Sequence, residues 1–403
     1  MTPIAMLNTT PMPDLINHNQ PHNSHADSMG PIASVDLQAL RHNALIAKQA
    51  RPSAKLLCVI KADAYGHGWQ ACATALEGIA DGWAVARWQE AFQLREAGFS
   101  QVIVVMSPQL PSDNVLDLWQ RCAAQNITPL LHDNAALITD LKYCKQYQIT
   151  PWINIDTGMH RLGIDPLTLT THLAALPDHM VLMSHFADAD ESRPRQLSKQ
   201  LDTFFNVYNA AQLLGRRCGF SLDNSAALLR EKTAQDNDKY EPGGTQWIRP
   251  GIMLYGANPL AGNSHLSSQL LPVMQLTAPV IALRHIAKGE SVGYNGIWQA
   301  PRSSTIATVA IGYADGYPRH AANGTAVAIH GRKAPLVGRV SMDMITVDIT
   351  ELCNAGIDVA IGDRVELWGT VIPAVDIANN AHTISYDLFT GIGNRVARRY
   401  INR

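Results

Sequence analysis

The chain has 403 residues, more than a single hydrophobic core organises, so two domains are expected. Apolar residues make up 46% and charged residues 16%, enough for a well-buried core, and a net charge of -2 without any long basic run excludes a nucleic-acid-binding or membrane-binding surface as the expectation. Cys58, Cys72, Cys122, Cys144, Cys218 and Cys353 form no CxxC pair and match neither a zinc site nor a small disulfide framework, so they read as thiols in a reducing compartment, and no metal is expected.

Residues 1–31 read as a disordered tail, with five prolines and no Lys or Arg. His18, His22 and His25 could bind metal adventitiously, but a solvated tail is the simpler reading. The positive start and apolar run of a secretory signal are missing, and no uncharged apolar stretch of about 18 residues follows, so a cytoplasmic protein is expected.

A short strand near 34–37 precedes a repeating pattern of apolar strand and amphipathic helix. Strands are predicted over 57–60, 83–86, 101–106, 127–131, 152–155 and 180–184, with less obvious ones near 219–222 and 247–249. Helices are predicted from near His67, over 88–97 (stopped by Gly98), over 114–124, from Asn134 and over 197–214. Eight such units in about 200 residues fit an α/β fold, a (β/α)8 TIM barrel over 32–269, with an open parallel sheet as the competing arrangement. From about 270 to 403 the texture becomes β-rich, with strands over 280–284, 305–311, 326–329, 344–347 and 364–368, turns at Asn323-Gly324 and Gly362-Asp363, and one short helical stretch near 373–380. A mainly-β C-terminal domain follows, with which the strand near 34–37 could pair.

The sharpest local signal is Val59-Ile60-Lys61-Ala62-Asp63-Ala64-Tyr65-Gly66-His67-Gly68. A lysine closing the first barrel strand would point to the end where barrel enzymes react, and partial desolvation would lower its pKa, as Schiff-base chemistry requires. A paired or snorkelling lysine is the alternative.

This segment resembles the cofactor-lysine motif of the alanine racemase family. Further segments match that family in order: 156–163 (Asp-Thr-Gly-Met-His-Arg-Leu-Gly), 184–186 (Ser-His-Phe), 224–227 (Asn-Ser-Ala-Ala), 249–252 (Arg-Pro-Gly-Ile), Gly293-Tyr294, 311–319 (Ile-Gly-Tyr-Ala-Asp-Gly-Tyr-Pro-Arg) and 338–343 (Gly-Arg-Val-Ser-Met-Asp). The resemblance runs from about residue 33 to the C-terminus and implies a fold-type III enzyme that interconverts L- and D-alanine, either supplying D-alanine for peptidoglycan or degrading it.

By that resemblance, pyridoxal 5'-phosphate is held covalently as an aldimine by Lys61. Tyr65, Ser225, Gly251, Ile252 and Tyr386 would hold its phosphate, with His185 and Asn224 also in the cofactor site. Arg249 would face the ring nitrogen; arginine keeps its proton and donates, so that nitrogen stays unprotonated and the electron sink is shallow, which suits proton return to Cα. Lys61 would handle the Cα proton of the D enantiomer, and Tyr294, reaching into the barrel of a partner subunit, that of the L enantiomer; the resemblance thus implies a homodimer with shared sites. A phenol acting as a base needs cations nearby, and His185 and Arg249 are the groups expected. Arg161 and the Met342 N–H would bind the substrate carboxylate, and Tyr313 would narrow the entrance, while Asp343 and Arg339 are supporting groups. Outside the resemblance, Tyr294 and Tyr386 would read as core aromatics and Arg249 as a surface residue as readily as a site residue.

At Asn154 many members of the family carry a lysine modified to a carbamate. An amide cannot form it, so either the neutral amide holds Arg161, or chloride or another small anion sits near Asn154 and Arg161. The same substitution resembles broad-specificity racemases. A broad-specificity racemase, a barrel-type decarboxylase using the same cofactor and a non-catalytic binding protein are the alternatives.

Overall fold

The computed structural model describes residues 30–107, 115–230 and 243–402. The tail expected over 1–31, with His18, His22 and His25, lies outside them except for its last two residues, as does the helix start expected at Asn114.

Strand β1 (Ile32–Asp36) leads into a helix over Leu37–Ala50, which starts where the Asp36 carboxylate accepts the N–H groups of Gln38 and Ala39. Eight strands then pair side by side, all parallel: β2 (Lys55–Val59), β3 (Gly82–Val85), β4 (Val102–Val105), β5 (Ile127–Leu131), β6 (Trp152–Asn154), β7 (His179–Met183), β8 (Arg217–Ser221) and β9 (Trp247–Ile248). β9 pairs with β2, and single bridges at Phe220–Gln246 and Asn224–Arg249 join it to β8, which brings the ring round to closure. These strands are short apolar runs buried on both faces, as helices outside and packed side chains inside require. The helices at Trp88–Glu96, Val115–Ala124, Leu137–Gln146 and Leu197–Leu213 supply the outer layer.

The rest of the chain builds a second sheet around β10 (Met274–Ile286). Its order is Arg332–Pro335, Ala326–Ile329, Arg364–Trp368, β10, β1, Ala397–Ile401. β10 runs for 13 residues, well past the predicted 280–284, because a register shift between Val280 and Ala282 lets its first half pair with Arg364–Trp368 and its second half with Ser304–Val309. β1 lies between β10 (antiparallel) and Ala397–Ile401 (parallel). One apolar cluster runs from Leu57 and Val59 of the ring through Tyr255 to Trp368 and Phe389, so the second sheet is packed firmly against the ring. No helix among the described residues is long and apolar enough to cross a membrane, and all six cysteines are free thiols.

Candidate active site

A cavity of about 970 Å³ opens at the C-terminal ends of the ring strands. Lys61, Tyr65, Asn154, Arg161, His185, Asn224, Ser225, Arg249, Gly251 and Ile252 line it from the loops after the strands, and Tyr386 reaches it from the helix Ser385–Thr390. The residues from Lys61 to Ile252 converge because they lie at or just after strand ends that face the same rim.

Lys61 opens an unusual turn. Ala62, Asp63, Ala64 and Tyr65 have φ of 52, 55, 53 and 53°, four consecutive left-handed residues between β2 and the helix that follows. This backbone costs non-glycine residues about 1 to 2 kcal/mol each, so the surroundings must over-determine it. They do: the Ala62 N–H donates to Glu90 at 2.7 Å, Ala64 N–H to Ile60 O at 3.0 Å, and His67 Nδ1 meets Tyr65 O at 2.9 Å. The Arg398 Nε–H donates to Gly66 O at 2.8 Å, and at Gly66, φ +77°, a Cβ would strike the Phe389 carbonyl oxygen. The regular helix begins only at Trp69, later than the start near His67 that the sequence suggests. Held this way, Lys61 is half-buried, and burial, with the positive charge of Arg161, lowers its pKa against the opposing carboxylate of Glu90.

Arg249, just after β9, the strand that pairs with β2, is buried. Its guanidinium donates to the Ser221 hydroxyl at 2.7 Å and to the carbonyls of Ser184 (2.7 Å) and Leu222 (3.3 Å). Burial lowers its pKa to about 10, so it stays cationic at neutral pH. Burial and the charges of Arg249, Arg161 and Lys61 push His185 down to about 3. The imidazole is therefore neutral at neutral pH, and Arg249 is the charged group beside it.

At the floor, the Ser225 hydroxyl accepts the N–H groups of Gly251 (2.8 Å) and Met253 (3.3 Å), binding two loops into one surface. A Cβ on Gly251 would fall 2.9 Å from the Tyr65 hydroxyl, so only glycine leaves this space clear. Tyr65 and Tyr386 both line the cavity. Burial raises both phenols, Tyr386 to about 12, so both remain donors. Two phenols, a serine and adjacent backbone N–H groups suit a phosphate, the nearby Lys61 suits an aldehyde and Arg249 suits an aromatic ring nitrogen. The residues fit pyridoxal 5'-phosphate.

Asn154 donates from Nδ2 to Leu162 O at 2.9 Å, while its buried Oδ1 accepts from no donor. The free face of the amide is thus an acceptor, which would welcome a donor.

Tyr294, Tyr313, Met342 and Asp343 are not at this cavity. Tyr294 is 67% exposed, Met342 53% and Tyr313 38%, and they lie together on the second sheet's loops. The Tyr313 and Ala314 N–H groups donate to Ser341 O and Met342 O, and Arg395 bridges Asp315 and Asp343, so the turn carrying Tyr313 and the loop carrying Met342 form one unit. The Tyr294 turn backs onto the Arg339 backbone. Sequence reasoning missed Glu90, Ser221 and Tyr255, which act on the predicted residues rather than line a motif. Tyr255 donates to Val59 O at 2.9 Å and packs on Tyr65 with ring centroids 4.9 Å apart. No motif flags them; only their burial beside the rim strands could have done so.

The ring and its rim define a barrel enzyme with a lysine, two arginines and a hydroxyl-rich floor around one cavity. Its sequence matches the alanine racemase N-terminal domain over residues 35–259 and the alanine racemase C-terminal domain over 273–400. It is 41% identical over 377 residues to the alanine racemase of Chromohalobacter salexigens, covering 92% of this chain and 98% of the relative, and 43% identical to that of Stutzerimonas stutzeri, covering 92% and 99%. The crystal structure of biosynthetic alanine racemase from Pseudomonas aeruginosa superposes with a TM-score of 0.80 at 38% identity, covering 93% of this chain and 99% of the other. Alanine racemase from Bartonella henselae, solved with covalently bound pyridoxal phosphate, gives 0.79 at 29%, covering 92% and 99%. The chain belongs to the alanine racemase family.

Proposed function

We propose that this chain interconverts L- and D-alanine with pyridoxal 5'-phosphate, using Lys61 on one face of the substrate and Tyr294 of the partner subunit on the other. The observation that carries the reading is the convergence of the Lys61 amine, buried Arg249 and the Gly251–Ser225 floor in one cavity. Covalently bound at Lys61, the cofactor would draw electrons from the Cα–H bond of the amino acid. Tyr65, Ser225, Gly251, Ile252 and Tyr386 would hold its phosphate, with Asn224 fixing the turn through its Oδ1 bond to the Ala227 N–H at 3.0 Å. Arg249, donating rather than accepting, would leave the ring nitrogen unprotonated and keep the activation brief.

Lys61, displaced by the substrate amine, would move the Cα proton of the D enantiomer, its lowered pKa making the free base accessible. Inversion demands a second group on the opposite face. Tyr294 fits because it stands exposed on the second sheet rather than inside its own cavity. A homodimer that brings each Tyr294 to the partner's barrel mouth, with Tyr313 and Met342 beside it, would complete two shared sites, and Arg161 would hold the substrate carboxylate. We take the chain to divide near residue 270, barrel before and mainly-β domain after. An enantiomer-resolved assay over alanine, serine, lysine and arginine tests the reading. Exchange of the Cα hydrogen of alanine in both directions is expected, and loss of CO2 without such exchange would overturn it; comparable rates on lysine or arginine would mark Asn154 as a sign of broader specificity.

A further inference from the structure

Glu90 stands in the first turn of the helix Trp88–Glu96, after β3, and its two carboxylate oxygens face different loops. Oε2 accepts the Ala86 and Arg87 N–H groups, each at 2.8 Å, and so closes the start of its own helix. Oε1 crosses to the Ala62 N–H at 2.7 Å. Ala62 is the residue next to Lys61 and the first of the four left-handed ones. Just before the lysine, the Ile60 N–H donates to Ala84 O of β3 at 3.0 Å; past it, the remaining bonds in the turn come from its own residues, from Trp69 or from the chain's C-terminal part, whereas Glu90 ties Ala62 to the loop after β3.

We propose that Glu90 is a positioning residue for Lys61: its carboxylate clamps the strained turn at Ala62 and so fixes where the lysine amine meets the cofactor. This rests on the reading of Lys61 as the cofactor lysine. A carboxylate suits the task because both of its oxygens accept, while glutamine can accept on one side only and would turn an N–H donor towards the other loop. Aspartate keeps the charge but lacks the methylene needed to span both loops.

The holoenzymes of the Glu90→Ala, Glu90→Gln and Glu90→Asp variants are compared by borohydride fixation of the cofactor with mapping of the labelled peptide, by cofactor loss on dialysis, and by the kcat and KM of alanine racemisation. The expected result is label on Lys61 throughout, at least fivefold faster cofactor loss and a tenfold or larger fall in kcat with KM changed less than threefold for Glu90→Ala, Glu90→Gln lying between it and the parent, and no rescue by Glu90→Asp. Ala62→Gly removes the side-chain penalty at φ 52° and should restore part of the loss in the Glu90→Ala background while leaving the parent little changed. Label on a lysine other than Lys61 in the parent would overturn the cofactor assignment itself. Label on Lys61 with parental dialysis and kcat in Glu90→Ala would overturn the clamp alone, as would a failure of Ala62→Gly to rescue a folded Glu90→Ala protein. If Glu90→Ala does not fold, the comparison of Glu90→Gln with and without Ala62→Gly decides in the same way.

Discussion

Gly251 abuts the hydroxyl end of Tyr65, so that a Cβ at 251 would sit 2.9 Å from the phenolic oxygen. The same Cβ would enter the space between that hydroxyl and the Ser225-bound loop, where the phosphate is proposed to lie. Gly251→Ala is expected to raise the dissociation constant for pyridoxal phosphate about tenfold, equivalent to ~1.4 kcal/mol, with little change in fold. Fluorescence titration of the cofactor-stripped variant checks this, and unchanged affinity would remove the floor from the phosphate site.

Replacing Lys61 by Ala should abolish the absorbance of covalently held cofactor while leaving the secondary structure intact. Persistence of a reducible covalent adduct would point to another lysine.

Tyr294→Phe keeps the exposed ring and removes only its hydroxyl, so it should lower turnover by about 10²- to 10⁴-fold, with cofactor binding retained. Mixing Lys61→Ala with Tyr294→Phe should restore measurable activity, because hybrid dimers carry one site with both groups. Absence of recovery after proven subunit exchange would end the shared-site reading.

Arg249 satisfies a hydroxyl and two carbonyls inside the protein, so Arg249→Met leaves several buried acceptors without donors. Chemical denaturation should show a loss of about 3 kcal/mol. A change below ~1 kcal/mol would mean that water reaches those acceptors.

His185 titrates near 3 in the folded chain and at its ordinary value of 6.5 when unfolded. Between those values the unfolded state binds the extra proton, so stability rises with pH across the window and falls as acid is added. His185→Gln should flatten the dependence of Tm on pH between about 4 and 6.5, seen by calorimetry of both proteins. A parallel dependence in both would show that His185 is not the group responsible.

Most of the ring was legible in the sequence because strands such as β4 and β5 are continuous apolar runs between amphipathic helices, a pattern set by burial on both faces, whereas β8, with Arg217 and Gly219, and the two-residue β9 stood out less. The strands Arg332–Pro335 and Ala397–Ile401 were not, since they carry Arg, Lys and Pro at the sheet's edges, where one side meets solvent and apolar alternation is not enforced. Lys61, Arg249 and Gly251 were legible as site residues because they follow strand ends within recognisable motifs. Glu90 was not: a glutamate in a helix's first turn looks like an ordinary capping residue, and only the fold shows that its other oxygen reaches Ala62. Nor does local sequence encode the left-handed turn, since Ala-Asp-Ala-Tyr has ordinary right-handed preferences and takes this shape under long-range constraint.

β1, near the chain's beginning, is seated between β10 and the last described strand. During synthesis, therefore, β1 waits with one hydrogen-bonding edge bare until the final stretch of polypeptide emerges. A product cut short before residue 397 would keep its ring yet expose that edge, inviting another chain to fill it, so premature termination here should yield aggregates rather than a smaller working enzyme.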